Sequence, residues 1–157
     1  MEKVSKRQCE KMIYKMTYCY KNKHYRKATI YSKLLRIIFS VDIMPETQIG
    51  QNVEFIHNGL GCVIHPKTII NNKCKIYQNV TLGGNGKIVN GKTMKGAPIL
   101  EENVAVFAGA CVLGPITIGH DSIIGANAVI TKDVPPNSLV YGNPANVTEL
   151  KFKYDFK

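Results

Sequence analysis

The sequence predicts a mainly β protein whose chain winds as a three-sided solenoid, preceded by a short basic α-helical segment over residues 1–40. Two observations support this prediction. From residue 41 onward, a large apolar residue returns at every sixth position, with two interruptions. Before residue 41, the apolar residues recur at spacings of three and four, which is typical of amphipathic helices.

The helical pattern runs from residue 3 to residue 39, and residues 22–24 (Asn-Lys-His) are the expected break between two helices. Lys and Arg residues stand between the apolar ones, so residues 1–40 hold eleven basic and two acidic residues and carry most of the net charge of +10. We expect the apolar stripe to be a packing face, formed by Met12, Met16, Tyr20, Ile30, Leu34, Leu35 and Ile38.

The basic segment has two interpretations. A solvated helical face is the simpler one, and attraction of residues 1–40 to an anionic membrane surface or an acidic glycan is the alternative. No zinc knuckle or clear helix-turn-helix accompanies the charge, so no nucleic-acid partner is expected. Lys33 and Arg36 interrupt the longest apolar stretch, and no apolar core follows the first charges, so we expect a soluble, cytoplasmic protein.

The five cysteines form no C-x-x-C pair and their number is odd, which favours reduced thiols over a disulfide framework. We therefore assign them no catalytic role.

The six-residue repeat involves thirteen positions, all aliphatic or aromatic: Ile43, Ile49, Phe55, Ile64, Ile70, Ile76, Leu82, Leu100, Val106, Val112, Ile118, Ile124 and Ile130. Four residues after a repeat position stands a second, mostly compact and uncharged set: Val53, Thr68, Cys74, Val80, Val104, Ala110, Ile116, Ser122 and Ala128. Gly, Asn and Pro are too frequent for ordinary sandwich strands. A chain that turns at every sixth residue instead coils, with the repeat residues on its axis and the compact set at its corners. We expect the Gly or Asn after the repeat residue to supply left-handed backbone angles there.

Two stretches interrupt the repeat. Residues 57–63 add three residues, and residues 83–99 replace apolar positions with Gly, Asn and Lys and are predicted to leave the solenoid as an exposed loop. Segments that interrupt a regular repeat are candidates for functional sites. The predicted organisation is therefore a helical segment (1–40) followed by a solenoid that begins at residue 41.

Several segments resemble the hexapeptide-repeat acyltransferases, and specifically the branch of serine acetyltransferase and its sugar-acetylating relatives. These segments are residues 42–45 (Asp-Ile-Met-Pro), His57, residues 77–84 (Tyr-Gln-Asn-Val-Thr-Leu-Gly-Gly), residues 124–135 and residues 142–145 (Gly-Asn-Pro-Ala). The resemblance extends over residues 41–147, which are predicted to form one solenoid domain followed by a C-terminal tail (148–157). It implies a left-handed parallel β-helix, an exception to the usual right-handed crossover. It also implies a homotrimer with active sites between subunits, and acetyl-CoA as the acetyl donor.

Transfer of an acetyl group from a thioester to an alcohol needs a general base, because a hydroxyl is a poor nucleophile until its proton is removed. His57 stands at the first interruption of the repeat, fifteen residues after Asp42. Because one coil takes about 18 residues, the two come within reach on adjacent turns or across a subunit boundary. Asp42 would accept the imidazole Nδ1 proton and leave Nε2 free to act as the base. The family's catalytic dyad falls on these same two residues.

The resemblance also implies a donor site. Gly83 and Gly84 would present backbone amides to the thioester, Ala108 and Ala126 would border the pantetheine arm, and Lys132 would meet a CoA phosphate. The alternative is that the glycines and alanines are small corner residues without a binding role and that Lys132 is an ordinary exposed lysine. We expect no metal, because the histidines form no convincing zinc trio. His65 is expected to be structural, and His24 and His120 to lie on the surface.

Departures from serine acetyltransferase indicate a different acceptor. Ile56 stands where that enzyme has an Asp before the catalytic His, and Gly96-Ala97 replaces an Arg-His pair before a proline. Since a zwitterion would lack charged partners there, the expected acceptor is a sugar or surface-polysaccharide hydroxyl. Serine acetylation in cysteine synthesis is the first alternative. A non-catalytic β-helix scaffold with a basic interaction arm is the second.

Overall fold

The computed structural model describes residues 8–86, 88–89, 92–93 and 96–151. Helices α1 (Gln8–Lys21) and α2 (Tyr25–Phe39) pack on each other and precede a β-helix. The strands are β1 (Asp42–Ile43), β2 (Gln48–Ile49), β3 (Glu54–Phe55), β4 (Val63–Ile64), β5 (Ile69–Ile70), β6 (Lys75–Ile76), β7 (Thr81–Gly83), β8 (Ile88–Val89), β9 (Lys92–Thr93), β10 (Ile99–Leu100), β11 (Ala105–Val106), β12 (Cys111–Leu113), β13 (Thr117–Ile118), β14 (Ile123–Ile124), β15 (Val129–Ile130), β16 (Ser138–Tyr141) and β17 (Asn146–Glu149).

Three sheets form the faces of the β-helix. The first sheet has the order β1-β4-β7-β12-β15, the second β2-β5-β10-β13, and the third β3-β6-β11-β14-β16, with β17 added at its end. All neighbours pair in parallel except β17, which runs antiparallel to β16. Each coil thus contributes one strand to each face. The chain forms a left-handed parallel β-helix preceded by two helices, and the predicted fold class is confirmed.

The repeat residues form the axis of this β-helix. All thirteen are 9% exposed or less, and most are fully buried. The nine residues of the compact set are also buried, with Ile116 the most exposed at 7%. The six-residue spacing therefore predicts both the core and the corners.

The left-handed backbone angles predicted for the glycines that directly follow a repeat residue are absent at Gly50 and Gly119. Positive φ angles occur three positions after the repeat residue, as at Asn52 (55°), Asn103 (60°) and Asn127 (57°), whereas Gly50 and Gly119 do not have them. A Cβ at Gly50 would lie 2.7 Å from the backbone carbon of Asn71 on the next coil. At Gly50 and Gly119, glycine directly follows the repeat residue because the neighbouring backbone leaves no room for a side chain.

Helix α1 covers the open end of the β-helix. In the first coil, amides that point away from the second coil have no further strand to pair with. The Phe55 amide donates to Oε1 of the buried Glu10 at 2.9 Å, and the Val53 amide donates to the Tyr14 hydroxyl at 3.0 Å. The same hydroxyl donates to the Gly50 carbonyl at 2.9 Å. The Glu10 and Tyr14 side chains thus provide hydrogen-bond partners for three backbone groups at the edge of the first coil.

The predicted break between the helices is confirmed at residues 22–24. The predicted packing stripe was only partly correct. Met16 and Leu35 are fully buried, but Ile30 and Ile38 are each 56% exposed, because α2 packs through Ala28 and Leu35. Residues 3–7 of the predicted helical segment lie outside the described residues. Neither described helix is long and apolar enough to span a bilayer.

The predicted loop at residues 83–99 contains the short antiparallel pair β8–β9 between β7 and β10. Residues 87, 90, 91, 94 and 95 of this loop, and residues 152–157 of the predicted tail, lie outside the described residues. All five cysteines are free thiols.

Candidate active site

The first interruption of the repeat forms a tight turn that carries His57. Residues Ile56–Gly59 make a 3₁₀ turn between β3 and β4 in which His57 (φ 54°) and Asn58 (φ 57°) have left-handed backbone angles. A non-glycine residue with positive φ is uncommon, and such conformations cluster at functional sites. Gly59 (φ 68°) packs against Val41, where its absent Cβ would lie 3.1 Å from Cγ2. The turn holds the imidazole of His57 in an exposed position.

Asp42 lies on β1 beside this turn. Its amide donates to the Cys62 carbonyl at 2.9 Å, and the Gly61 amide donates to the Ser40 carbonyl at 3.1 Å. These bonds fasten the end of the His57 turn to the chain that enters β1. The structure therefore brings the backbone segments of the two predicted catalytic residues together on adjacent coils.

The side chains themselves are not paired in this structure. Among the described residues, the partner of the Asp42 carboxylate is Arg36 of α2, whose Nη1 lies 3.7 Å from Oδ2. No hydrogen bond joins Asp42 to His57 within the described part of the chain. The dyad of His57 and Asp42 therefore stays a prediction.

The predicted donor-site residues lie along both edges of the first sheet. Ala108 and Ala126 precede β12 and β15, at the edge where the third sheet turns into the first and where His57 also lies. Their coils are adjacent, since the Asn127 amide donates to the Ala108 carbonyl at 3.0 Å. Gly83 is the last residue of β7, Gly84 comes directly after it, and Lys132 follows β15. All three lie at the edge where the first sheet turns into the second.

The two glycines differ in their surroundings. A Cβ at Gly83 would make an ordinary contact, 3.5 Å from Cδ2 of Leu113, so packing does not require glycine there. A Cβ at Gly84 would lie 3.3 Å from the Gly96 carbonyl oxygen, which is tighter. No observation tests the roles of the five predicted donor-site residues, and these stay predictions.

The remaining histidines lie as predicted. Nδ1 of His65 accepts the Lys67 amide at 3.1 Å, which is a local structural bond. His24 and His120 are exposed, and His120 bonds the neighbouring Asp121 at 2.8 Å. The part of the chain that the structure describes contains no cluster of three metal-ligating side chains.

The loop positions that depart from serine acetyltransferase are structurally constrained. A Cβ at Gly96 would lie 2.5 Å from Cβ of Pro115, and Ala97 is only 7% exposed. A larger side chain at Gly96 would require Pro115 to move. These positions therefore supply no charge to a bound acceptor.

A cavity beside Asp42 was not predicted from the sequence. It has a volume of about 580 Å³ and lies between α2 and the first coil, and its lining includes Ser32, Lys33, Arg36, Asp42 and Glu46. Residues 32 and 36, and residues 29 and 33, are one helical turn apart and so share a face of α2. That spacing was the available signal, but Lys33 and Arg36 were interpreted only as interruptions of an apolar stretch within the basic segment.

The chain matches known proteins in sequence and in structure. The family model for the bacterial transferase hexapeptide (six repeats) matches residues 97–132. A serine acetyltransferase of Helicobacter pylori is 42% identical over 126 residues, which cover 80% of this chain and 71% of that protein. The chain spans about half the length of the first curated relatives that it matches.

Two solved structures share the fold. A soybean serine acetyltransferase complexed with serine aligns with a TM-score of 0.77 and 31% identity, and covers 89% of this chain and 56% of that one. A serine acetyltransferase in complex with CoA aligns with a TM-score of 0.77 and 30% identity, over 89% of this chain and 55% of that one.

These similarities overturn one expectation. The prediction of a sugar or surface-polysaccharide acceptor was wrong, because relatives at 38–46% identity are serine acetyltransferases. The missing charges at Ile56, Gly96 and Ala97 were given too much weight against a sequence similarity that extends over 126 residues. With 42% identity over more than two thirds of a curated relative, this chain belongs to the serine acetyltransferase family of hexapeptide-repeat acyltransferases.

Proposed function

We propose that this chain is an acetyl-CoA-dependent O-acetyltransferase whose acceptor is the hydroxyl of serine. The supporting observation is the 42% identity to a serine acetyltransferase across 71% of that protein. The structures of the family include complexes with CoA and with serine, and both share this fold.

The chemistry follows from the residues at the first interruption. Nε2 of His57 removes the proton of the acceptor hydroxyl, and the oxygen attacks the carbonyl carbon of the thioester. The backbone amide of Gly83 or Gly84 stabilises the oxyanion that forms. The C–S bond then breaks, and His57 returns its proton to the departing thiolate. Asp42 orients the imidazole and stabilises its charged form.

We also propose that the active protein is a homotrimer with sites between subunits. In one chain the predicted site residues divide between the two edges of the first sheet, which are separated by about five residues, roughly 16 Å at ~3.3 Å per residue. Two chains side by side would bring the edge with His57, Ala108 and Ala126 against the edge with Gly83 and Lys132 of a neighbour. This division supports a shared site.

The experiment is an acceptor assay with the full chain. Release of the CoA thiol is followed with acetyl-CoA and L-serine, and the product is identified by mass spectrometry. The expected result is serine-dependent thiol release in step with O-acetylserine formation. Thiol release that does not depend on serine, or no release at any serine concentration, would show that the acceptor is not serine.

A further inference from the structure

The cavity between α2 and the first coil has a lining of both charge signs. Arg36 and Lys33 contribute cations from α2, and Asp42 and Glu46 contribute carboxylates from the first coil. Its volume of about 580 Å³ is ample for one small amino acid together with water. Asp42 is part of the lining, so the cavity borders the carboxylate of the predicted catalytic dyad, whereas His57 does not line it.

A zwitterionic acceptor needs a cation for its carboxylate, since burying an unpaired charge is costly. Among the described residues of the long loop, Gly96 and Ala97 carry no charge, Gly96 lies against Pro115 and Ala97 is buried. Ile56, next to His57, is apolar. The described cations that border Asp42 belong to α2 and are Lys33 and Arg36.

Arg36 has the position and the freedom for this task. Its side chain is 68% exposed, and Nη1 lies 3.7 Å from Oδ2 of Asp42, close to the outer limit of an ion pair. Such a loose, exposed pair contributes little to stability, so the guanidinium is available to another anion. A guanidinium also offers a fork of donors that matches a carboxylate in two parallel bonds.

We propose that Arg36 is a specificity-determining residue that binds the α-carboxylate of the acceptor in this cavity. Binding of that carboxylate replaces Asp42 as the partner of Arg36 and leaves Asp42 free to orient His57. Lys33, on the same face of α2, adds positive potential to the cavity. This inference rests on the proposed serine acetylation, because it assigns the charge that this acceptor requires.

Three variants of the full chain test the inference. In Arg36→Gln the KM for L-serine is expected to rise about 10- to 100-fold, the range for loss of a charged hydrogen bond. The KM for acetyl-CoA should stay unchanged, and kcat should change much less than the KM for serine. Arg36→Lys should recover part of the loss. Arg26→Gln, an exposed arginine on α2 outside the cavity lining, is the matched control and should behave like the parent protein.

A second acceptor isolates the carboxylate. Ethanolamine has the hydroxyl and the amine of serine but no carboxylate to release Asp42 from Arg36, so Arg36→Gln should acetylate it at least as fast as the parent protein. Serine turnover with an unchanged KM in Arg36→Gln, or an equal loss with both acceptors, would overturn the inference.

Calorimetric titration with L-serine separates this inference from the proposed function. Binding that Arg36→Gln weakens at least about tenfold supports the carboxylate site even where the parent protein does not acetylate serine. Binding of equal strength in both proteins, or no binding by the parent protein, contradicts the carboxylate site.

Discussion

Oε1 of Glu10, on α1, accepts a hydrogen bond from the amide of Phe55 at 2.9 Å, although the two residues are 45 positions apart. Phe55 is a repeat residue of the first coil, whose amide would otherwise face an open end of the β-helix. The helical segment therefore has a structural role, because it terminates the solenoid as a further coil would. The described basic residues of the helical segment form its outer surface.

The first prediction concerns this bond. Glu10→Ala leaves the buried Phe55 amide without its acceptor, which should cost about 1–3 kcal/mol of unfolding free energy. Glu10→Gln keeps an acceptor oxygen and should cost less. Urea unfolding measures both variants. Equal stability of Glu10→Ala and the parent protein would show that water or another group satisfies the amide.

The second prediction compares two glycines. A Cβ at Gly119 would lie 2.7 Å from the backbone carbon of Pro135, so Gly119→Ala should destabilise the protein by about 1–3 kcal/mol. At Gly83 the new Cβ meets Leu113 at an ordinary 3.5 Å, so Gly83→Ala should stay within about 0.5 kcal/mol of the parent. Thermal unfolding measures both.

Gly83→Ala should nevertheless raise the KM for acetyl-CoA about tenfold, equivalent to ~1.4 kcal/mol, because the methyl group blocks approach to the Gly83 amide. An unchanged KM in a folded Gly83→Ala variant would remove Gly83 from the donor site.

The third prediction concerns the buried thiols. Burial raises the pKa of Cys62 and of Cys74 to about 11, and that of Cys9 to about 12, because it disfavours the charged thiolate. At pH 8 only roughly one in a thousand molecules of Cys62 or Cys74 is then ionised, and the thiolate is the reactive form.

Alkylation by iodoacetamide at pH 8, followed by peptide mass spectrometry, should modify Cys19 and Cys111 well before these three. All five cysteines should react in urea. Rapid native labelling of Cys62 or Cys74 would show that the first two coils open readily.

The periodic part of the fold could be predicted from the sequence. An apolar residue at every sixth position predicts the core, and all thirteen repeat residues from Ile43 to Ile130 are buried. The reason for glycine at position 50 could not be predicted, because it depends on the distance between stacked coils, which the local sequence does not show. The exposure of Ile30 and Ile38 depends in the same way on which face of α2 meets the β-helix.

The candidate site was only partly predictable. His57 was singled out because its turn breaks the repeat, and the structure shows that this turn adjoins the start of β1. Arg36 was missed because its importance arises from the packing of α2 beside Asp42, which no local pattern records. The acceptor was mispredicted because only the loop positions, such as Gly96, were considered as sources of charge.

The fourth prediction concerns the coupling of Asp42 and His57. His57→Asn should lower kcat about 10²–10⁴-fold, the usual contribution of a general base. Asp42→Asn should lower it less, and the double variant should be no slower than His57→Asn alone, because residues that act as a unit are not additive. Steady-state kinetics of the three variants give the coupling. Glu102→Gln, a surface carboxylate paired with Lys73, is the control for loss of a negative charge. Additive losses in the double variant would mean that Asp42 acts apart from His57.

The most direct test of the account is the rate of O-acetylserine formation by the parent protein, by His57→Asn and by His24→Asn, at saturating acetyl-CoA and L-serine. Asparagine tolerates the left-handed backbone of residue 57, so His57→Asn should fold normally while it loses the base. The parent protein should be active, His24→Asn equally active, and His57→Asn slower by at least about a hundredfold. A His57→Asn variant as fast as the parent protein would contradict it.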